Sequence, residues 1–157
     1  MTAHLRVPSP IGDWVVEGSE TGIHRLTLET TPSIDGANSA SASPLLERAA
    51  EELREYFAGA RRHWTVPLSP LDGTDFQRHV WRELQNIPFG QTVTYGELAS
   101  RLNRPRAARA VGGANGANPL PIFVPCHRVV GAHSLGGYSM GGARVKEFLL
   151  HLEESWA

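Results

Sequence analysis

Pro125-Cys126-His127-Arg128-Val129 sets the only cysteine of the chain directly beside a histidine. A thiol attacks as its thiolate, and free cysteine is mostly protonated at neutral pH, so a neighbouring histidine or cation is the usual means of activating it. His127 supplies the first and Arg128 the second. The pairing fits nucleophilic chemistry at sulfur. Taken alone, it fits a second account equally well. Free cysteine is among the most buried residue types and often acts as a small hydrophobe, and neighbours in an extended chain point to opposite faces, which would keep the imidazole off the sulfur.

The elements that must position this pair can be read from pattern and turn chemistry. Leu120 to Val124, apolar and rich in β-favouring side chains, predicts a buried extended segment or strand that Pro125 halts, with a glycine-rich loop beyond the cysteine. Upstream, Leu5–Pro8, Trp14–Glu17 and His24–Leu28 predict short strands separated by Pro10-Ile11-Gly12 and Ser19–Gly22 turns. Ser33 to Ser43 is a polar, small-residue stretch expected to be a mobile loop. Pro44 opens a helix with Leu45, Leu46, Ala49, Leu53, Tyr56 and Phe57 as its apolar stripe and Gly59 as its stop. His63–Leu68 predicts one more extended piece within a linker over residues 60–73.

Beyond that linker the chain turns helical. Thr74-Asp75-Phe76-Gln77 and Thr94-Tyr95-Gly96-Glu97 both fit the capping box, in which the hydroxyl and the side chain three residues on satisfy free backbone donors reciprocally. A helix from Tyr95 to about Leu102 and another from Arg106 to Asn115 lie about a tight turn, the layout of a helix-turn-helix. Gly112 and Gly113 weaken the second of these by roughly 1 kcal/mol each. With Ala107, Ala108, Ala110 and Ala114, they leave it little side-chain bulk, so it can approach another surface closely. A last helix is expected over Val145–Leu152.

The 157 residues suffice for one large or two small domains, and 15 basic against 16 acidic side chains leave almost no net charge. The distribution is uneven. Residues 1–73 hold six basic and ten acidic side chains, and residues 74–157 hold nine and six. Arg101, Arg104, Arg106, Arg109 and Arg128 follow one another with no acidic residue between them. They form either a solvated charged surface or a small phosphate footprint whose affinity would fall as salt rises. A lone cysteine excludes an internal disulfide and, as a working thiol, calls for a reducing compartment. No basic-then-apolar leader pattern opens the chain and no run approaches a membrane span, so the cytoplasm is the expected location.

Pro125-Cys126-His127-Arg128-Val129-Val130, preceded by Ala107-Ala108-Arg109-Ala110-Val111-Gly112 and Asn118-Pro119, closely resembles the signature of the O6-alkylguanine-DNA alkyltransferases, or methylated-DNA–protein-cysteine methyltransferases. The likeness runs on through Phe89-Gly90, Tyr95-Gly96-Glu97-Leu98-Ala99, Gly137-Tyr138-Ser139, Lys146 and Glu153, and more loosely through Ser9-Pro10-Ile11-Gly12 and Leu53 to Gly59. It implies an α+β fold. A small N-terminal β-sheet/helix domain, RNase H-like, would cover 1–70, and a mainly helical domain with a winged or helix-turn-helix-like DNA-binding motif would cover 71–157. The implied activity is direct repair of double-stranded DNA bearing O6-alkylguanine, by one irreversible transfer of the alkyl group to Cys126 after the base is flipped from the minor-groove side. O4-alkylthymine is left open as a further substrate.

The resemblance also implies roles. His127 would activate Cys126 through a water and Glu153 would orient the imidazole. Tyr95 would rotate the target phosphate and protonate the departing guanine, and Arg109 would fill the space of the extruded nucleotide. Asn118 would brace the turn before the cysteine, and the backbone around Val124 and Cys126 would meet the exocyclic amine. Tyr138 would form a wall, Ser139 would donate near O6, and Arg128 would belong to the DNA-binding set. No cofactor is implied. Relatives with zinc use cysteines this chain lacks, so no metal site is expected. The stretch from Ser139 to Lys146 is a residue longer than the commonest form, which leaves the alkyl-size preference open. The protein is expected to act as a monomer off the membrane, with cooperativity on DNA open. Two rivals remain: a lesion sensor like the alkyltransferase-like proteins, which lack the cysteine, and a cysteine hydrolase, which would turn over.

Overall fold

A computed structural model of the chain describes residues 3–29, 43–138 and 140–156. The chain divides into two units, Met1–Leu71 and Asp72–Ala157. In the first, three strands, β1 (Ala3–Ser9), β2 (Gly12–Ser19) and β3 (Gly22–Glu29), form an antiparallel sheet in that order. Each outlasts its predicted span by a residue or more at either end, because two-residue loops close both hairpins, with Ser9 paired to Gly12 and Ser19 to Gly22. Alternation sends Ala3, Leu5 and Val7 of β1 inward, and Trp14, Val15, Val16, Ile23 and Leu26 are buried as well. Helix α1 (Pro44–Phe57), capped by Ser43 and packed on β1, β2 and β3, buries Leu46, Ala49, Ala50, Leu53 and Tyr56. Of the stretch expected as a loop, only Ser43 is among the described residues.

The extended piece expected over His63–Leu68 reduces to a single parallel bridge between Leu68 and Ile23. Its anchor is a side chain: Glu52, 2% exposed on α1, accepts from the Thr65 and Val66 amides at 2.9 and 3.3 Å and from the Thr65 hydroxyl. Gly22 admits the rest of the segment, since a Cβ there would fall 2.6 Å from the Ser69 amide nitrogen.

The second unit contains α2 (Asp75–Leu84), the two-residue strand β4 (Val93–Thr94), α3 (Tyr95–Arg101), α4 (Ala108–Gly116), a 3-10 turn over Cys126–Arg128, the two-residue strand β5 (Val129–Val130) and α5 (Ala143–Trp156). Thr74 and Gln77 complete the capping box of α2. At α3 only half of the expected box forms. The Thr94 hydroxyl accepts from the Glu97 amide, and the Glu97 carboxylate meets that hydroxyl at 3.2 Å rather than the Thr94 backbone. Thr94 is also a strand residue, paired in parallel with Val130.

Helices α3 and α4 pack together about the turn at residues 102–107, where Asn103 takes the left-handed conformation that asparagine tolerates. The Trp81 indole nitrogen donates to the Ala114 carbonyl at 2.8 Å and ties α2 to α4. Helix α4 begins two residues later than its sequence suggests, with no side-chain cap at Ala107. Helix α5 extends past Leu152 and so brings Glu153 into the helix.

The strand expected over Leu120–Val124 is not there. The run is buried as its composition requires, yet it folds as turns, with Ile122 at a φ of 75°. Pro119, Pro121 and Pro125 deprive it of donors for a ladder. Local bonds replace the ladder, from Val124 N to Leu120 O at 2.9 Å and from Phe123 N to Pro121 O at 2.9 Å.

Glu52 carries the anchoring of the 60–68 segment. Burial pushes its carboxyl pKa up, but the Thr65 and Val66 bonds and the Arg61 charge outweigh it and hold the pKa below the usual value. Glu52→Ala should therefore cost about 2 kcal/mol, measured by urea unfolding at pH 7, because it strands the buried Val66 amide and removes the acceptor of the Thr65 amide and hydroxyl.

Candidate active site

Asn118 sets the conformation that presents the cysteine. Its Nδ2 donates to the Val124 carbonyl at 2.8 Å and its Oδ1 accepts from the Leu120 amide at 3.0 Å, closing the proline-rich turn on itself. The Cys126 amide then bonds back to Val124 O at 2.7 Å, and a 3-10 turn carries the next two side chains inward. In such a turn, unlike a strand, consecutive side chains do not alternate between faces.

Cys126 is 4% exposed. Burial pushes its pKa up to about 11, against the opposing pull of the Asn118 amide, the Lys146 charge and the Tyr138 hydroxyl. The resting sulfur is a thiol. His127 is fully buried, with Nε2 at 2.6 Å from Glu153 Oε2. Burial lowers its pKa more than Glu153 raises it, and the charges of Arg128 and Lys146 lower it further. A neutral imidazole facing a carboxylate keeps its proton on Nε2, so Nδ1 is a bare acceptor. That atom has no partner among the described residues.

Glu153 is the hub. It accepts from His127, from Arg128 Nε and Nη2 at 2.8 and 3.0 Å, and from the Gly90 amide at 3.2 Å. Burial alone would raise its pKa, but His127 and Arg128 hold the carboxyl far below the usual range. The third arm of Arg128 donates to Ile87 O at 2.6 Å, and its guanidinium lies 5.8 Å from the Phe89 ring centroid.

Arg128 is thus a correction to the sequence reading. At 5% exposure, with its donors committed to Glu153 and Ile87, it is turned into the protein and offers nothing to a phosphate. Arg101, Arg104, Arg106 and Arg109 are exposed.

Above the thiol lies a pocket of about 440 Å³, with Tyr95 and Tyr138 as walls and Gly112, Asn115 and Gly116 of α4 along one side. Tyr95 is half-buried at the first position of α3. Gly136, at a φ of 79°, passes so close that a Cβ there would lie 2.9 Å from the Tyr95 hydroxyl. Lys146 holds this loop from beneath, its Nζ donating to Gly137 O at 3.0 Å and Val129 O at 2.5 Å. Burial brings its pKa down to about 8.

Val124 contributes a buried carbonyl, already engaged by Asn118. Ser139, and with it one residue of the longer 139–146 stretch, lies outside the described residues. Arg109, Gly113 and Gly116 fall at helical spacing on one exposed face of α4, and a Cβ at either glycine would meet nothing within 4 Å. Sequence reasoning missed Asn115 and gave Lys146 no task. The signal for Asn115 was its place one turn after Val111, on the side of α4 that is buried. Among the described residues, no group of three or more His, Cys, Asp or Glu side chains is placed to hold a metal ion.

The carboxylate hub sets an acid limb. A depressed carboxyl pKa adds stability that is complete above the unfolded value of roughly 4.3 and is lost as pH falls toward the folded one. Glu153→Gln should cost about 3 kcal/mol at pH 7, since it leaves Arg128 buried without its counter-charge. Denaturation midpoints measured from pH 7 to pH 3 should fall less steeply in this variant than in the wild type.

Comparison with known proteins agrees across the chain. Residues 6–70 match the family model for the 6-O-methylguanine DNA methyltransferase ribonuclease-like domain, and residues 75–155 match that for its DNA binding domain. The constitutive methylated-DNA–protein-cysteine methyltransferase of Bacillus subtilis is 40% identical over 98% of this chain and 96% of its own length. That of Methanosarcina acetivorans is 43% identical over 94% and 95%. The crystal structure of Mycobacterium tuberculosis O6-methylguanine methyltransferase superposes with a TM-score of 0.86 at 42% identity, covering 100% of this chain and 95% of that one. A structure of the same protein in complex with DNA gives 0.84, covering 98% and 94%. With both halves matched and the α+β architecture in agreement, the chain belongs to the 6-O-methylguanine DNA methyltransferase family.

Proposed function

We propose that this protein repairs O6-alkylguanine in double-stranded DNA by transferring the alkyl group, once and irreversibly, to Cys126. The observation that carries the reading is the thiol at the floor of a base-sized pocket, followed in the chain by a histidine whose Nδ1 is an unmet acceptor and whose Nε2 is held by a carboxylate. The relatives are named for the same transfer.

The proton inventory closes. Cys126 gives its proton, by way of a water, to His127 Nδ1, and Glu153 steadies the imidazolium that forms. Sulfur attacks the alkyl carbon, a carbon–sulfur bond forms, and the carbon–O6 bond breaks with its electron pair left on the guanine. Tyr95 donates a proton to the departing base and is reprotonated from the imidazolium side. The net change is alkyl to sulfur and thiol proton to guanine. A thioether is a poor leaving group, so nothing regenerates the thiol. Each molecule acts once.

DNA engagement follows from α4. Its exposed face of Arg109, Gly113 and Gly116 carries one long side chain and two with none, which suits a helix that lies in the minor groove and inserts a single residue. Arg109 occupies the space of the everted nucleotide, and Arg101, Arg104 and Arg106 hold phosphates. The base amine meets the backbone around Val124 and Cys126, Tyr138 forms a wall, and Ser139 donates near O6. Eversion costs a few kcal/mol, less for a damaged pair. Among the described residues no helix is long and apolar enough to cross a membrane, and a working thiol fits the reducing cytoplasm.

Incubation with a duplex holding one O6-methylguanine, followed by intact-protein mass spectrometry and peptide mapping, should show a single methyl on Cys126 that saturates at one per molecule, and none in Cys126→Ser. Unmodified wild-type protein bound to the damaged duplex would instead make it a lesion sensor, and repeated turnover a hydrolase. Arg109→Ala should slow transfer from duplex at least tenfold while changing reaction with the free alkylated base less than twofold. Equal losses on both would remove its insertion role.

A further inference from the structure

The pocket over Cys126 contains a hydrogen-bonding atom that the transfer chemistry leaves unused. Asn115, 4% exposed near the end of α4, lines the pocket. Its Nδ2 donates to the Cys126 carbonyl at 3.2 Å. A carbonyl can only accept, which fixes the amide's orientation and makes the other end, Oδ1, an acceptor. That oxygen is shielded from solvent and has no hydrogen-bond partner among the described residues. Asn118, three residues on, differs in this respect, because both ends of its amide are used. A buried acceptor left unmet is unfavourable, and native structures rarely keep one without a purpose.

The chemistry of the base says what could meet it. In O6-alkylguanine, N1, N3 and N7 are acceptors, O6 carries the alkyl group and N9 carries the sugar. The exocyclic 2-amino group is the only hydrogen-bond donor left on the base, and it has two hydrogens. Cys126 O and Asn115 Oδ1 are neighbouring acceptors, joined through the Asn115 amide.

Building on the alkyltransferase reading, we propose that Asn115 is a specificity-determining residue. Its Oδ1 takes one hydrogen of the 2-amino group of the everted base, so the pocket selects alkylated purines that carry an amine at that position. O6-alkylhypoxanthine and O4-alkylthymine offer no such donor and leave the oxygen unmet. A site that reads a donor rejects analogues lacking it more strongly than an apolar wall can, because the unpaired group stays buried.

The test compares single-turnover rate constants on two duplexes, one with O6-methylguanine and one with O6-methylhypoxanthine at the same position, for wild type and Asn115→Leu. The variant should react about tenfold more slowly with the guanine lesion and within twofold of wild type with the hypoxanthine lesion, so that selectivity drops about tenfold. Equal slowing on both would reduce Asn115 to a brace for the Cys126 carbonyl. No slowing would mean that the oxygen is met from within the protein, for instance by the Tyr138 hydroxyl. Either result overturns the proposal. The rate constant of a single-turnover reaction does not depend on the active fraction of the sample, and Asn115→Ala is read the same way if the leucine variant is insoluble. Wild-type protein that transfers to neither duplex would overturn the alkyltransferase reading itself.

Discussion

The carboxylate of Glu153 is the constraint on which the rest of the second unit depends. It draws donors from the turn at Gly90 and from His127 and Arg128 of the turn after the cysteine, two stretches far apart in the chain. Two of its partners, an imidazole and a guanidinium, stand in the same short turn as the cysteine, so wherever Glu153 sits, the sulfur is placed. Isolated, a buried carboxylate and a buried guanidinium would each be costly, and even together they do little better than break even against apolar residues. What they contribute is a fixed position and a fixed tautomer. The imidazole between them cannot turn over, because Nε2 is committed to the carboxylate.

The same burial that fixes the geometry also quiets the chemistry. With burial raising its pKa to about 11, the sulfur rests as a thiol at neutral pH, a weaker nucleophile than its thiolate. Lys146 opposes that shift, yet its own charge is under pressure, with a pKa near 8. A reagent that can be used only once gains from such restraint.

Much of this was legible in the residues. The hairpins, the capped helices α1 and α2, and the Thr94 start of α3 follow from local rules that act over three or four residues. The sites where reading failed are those where partners outside the local pattern decide. Leu120–Val124 has the composition of a strand, but three prolines and the Asn118 amide give its backbone partners within the turn. Arg128 looks like the fifth member of a basic surface run, and only Glu153, distant in sequence, turns it inward. Glu153, taken without the family resemblance, would read as a solvated charge on a helix; only the resemblance pairs it with His127, and it is 1% exposed. Asn115 can be placed on the buried side of α4 by its spacing from Val111, but its partner cannot be read, because that partner is a backbone carbonyl and carbonyls leave no trace in a sequence.

The open face of α4 separates what keeps this protein folded from what keeps it useful. Gly113 and Gly116 border empty space, so alanine at either would clash with nothing and would firm the helix by up to about 1 kcal/mol. Yet each added methyl would stand on the face proposed to enter the groove. Any engineering or selection scheme that scores variants by thermal resistance would gather such substitutions as improvements, and would drift toward molecules that are harder to melt and worse at reaching damage.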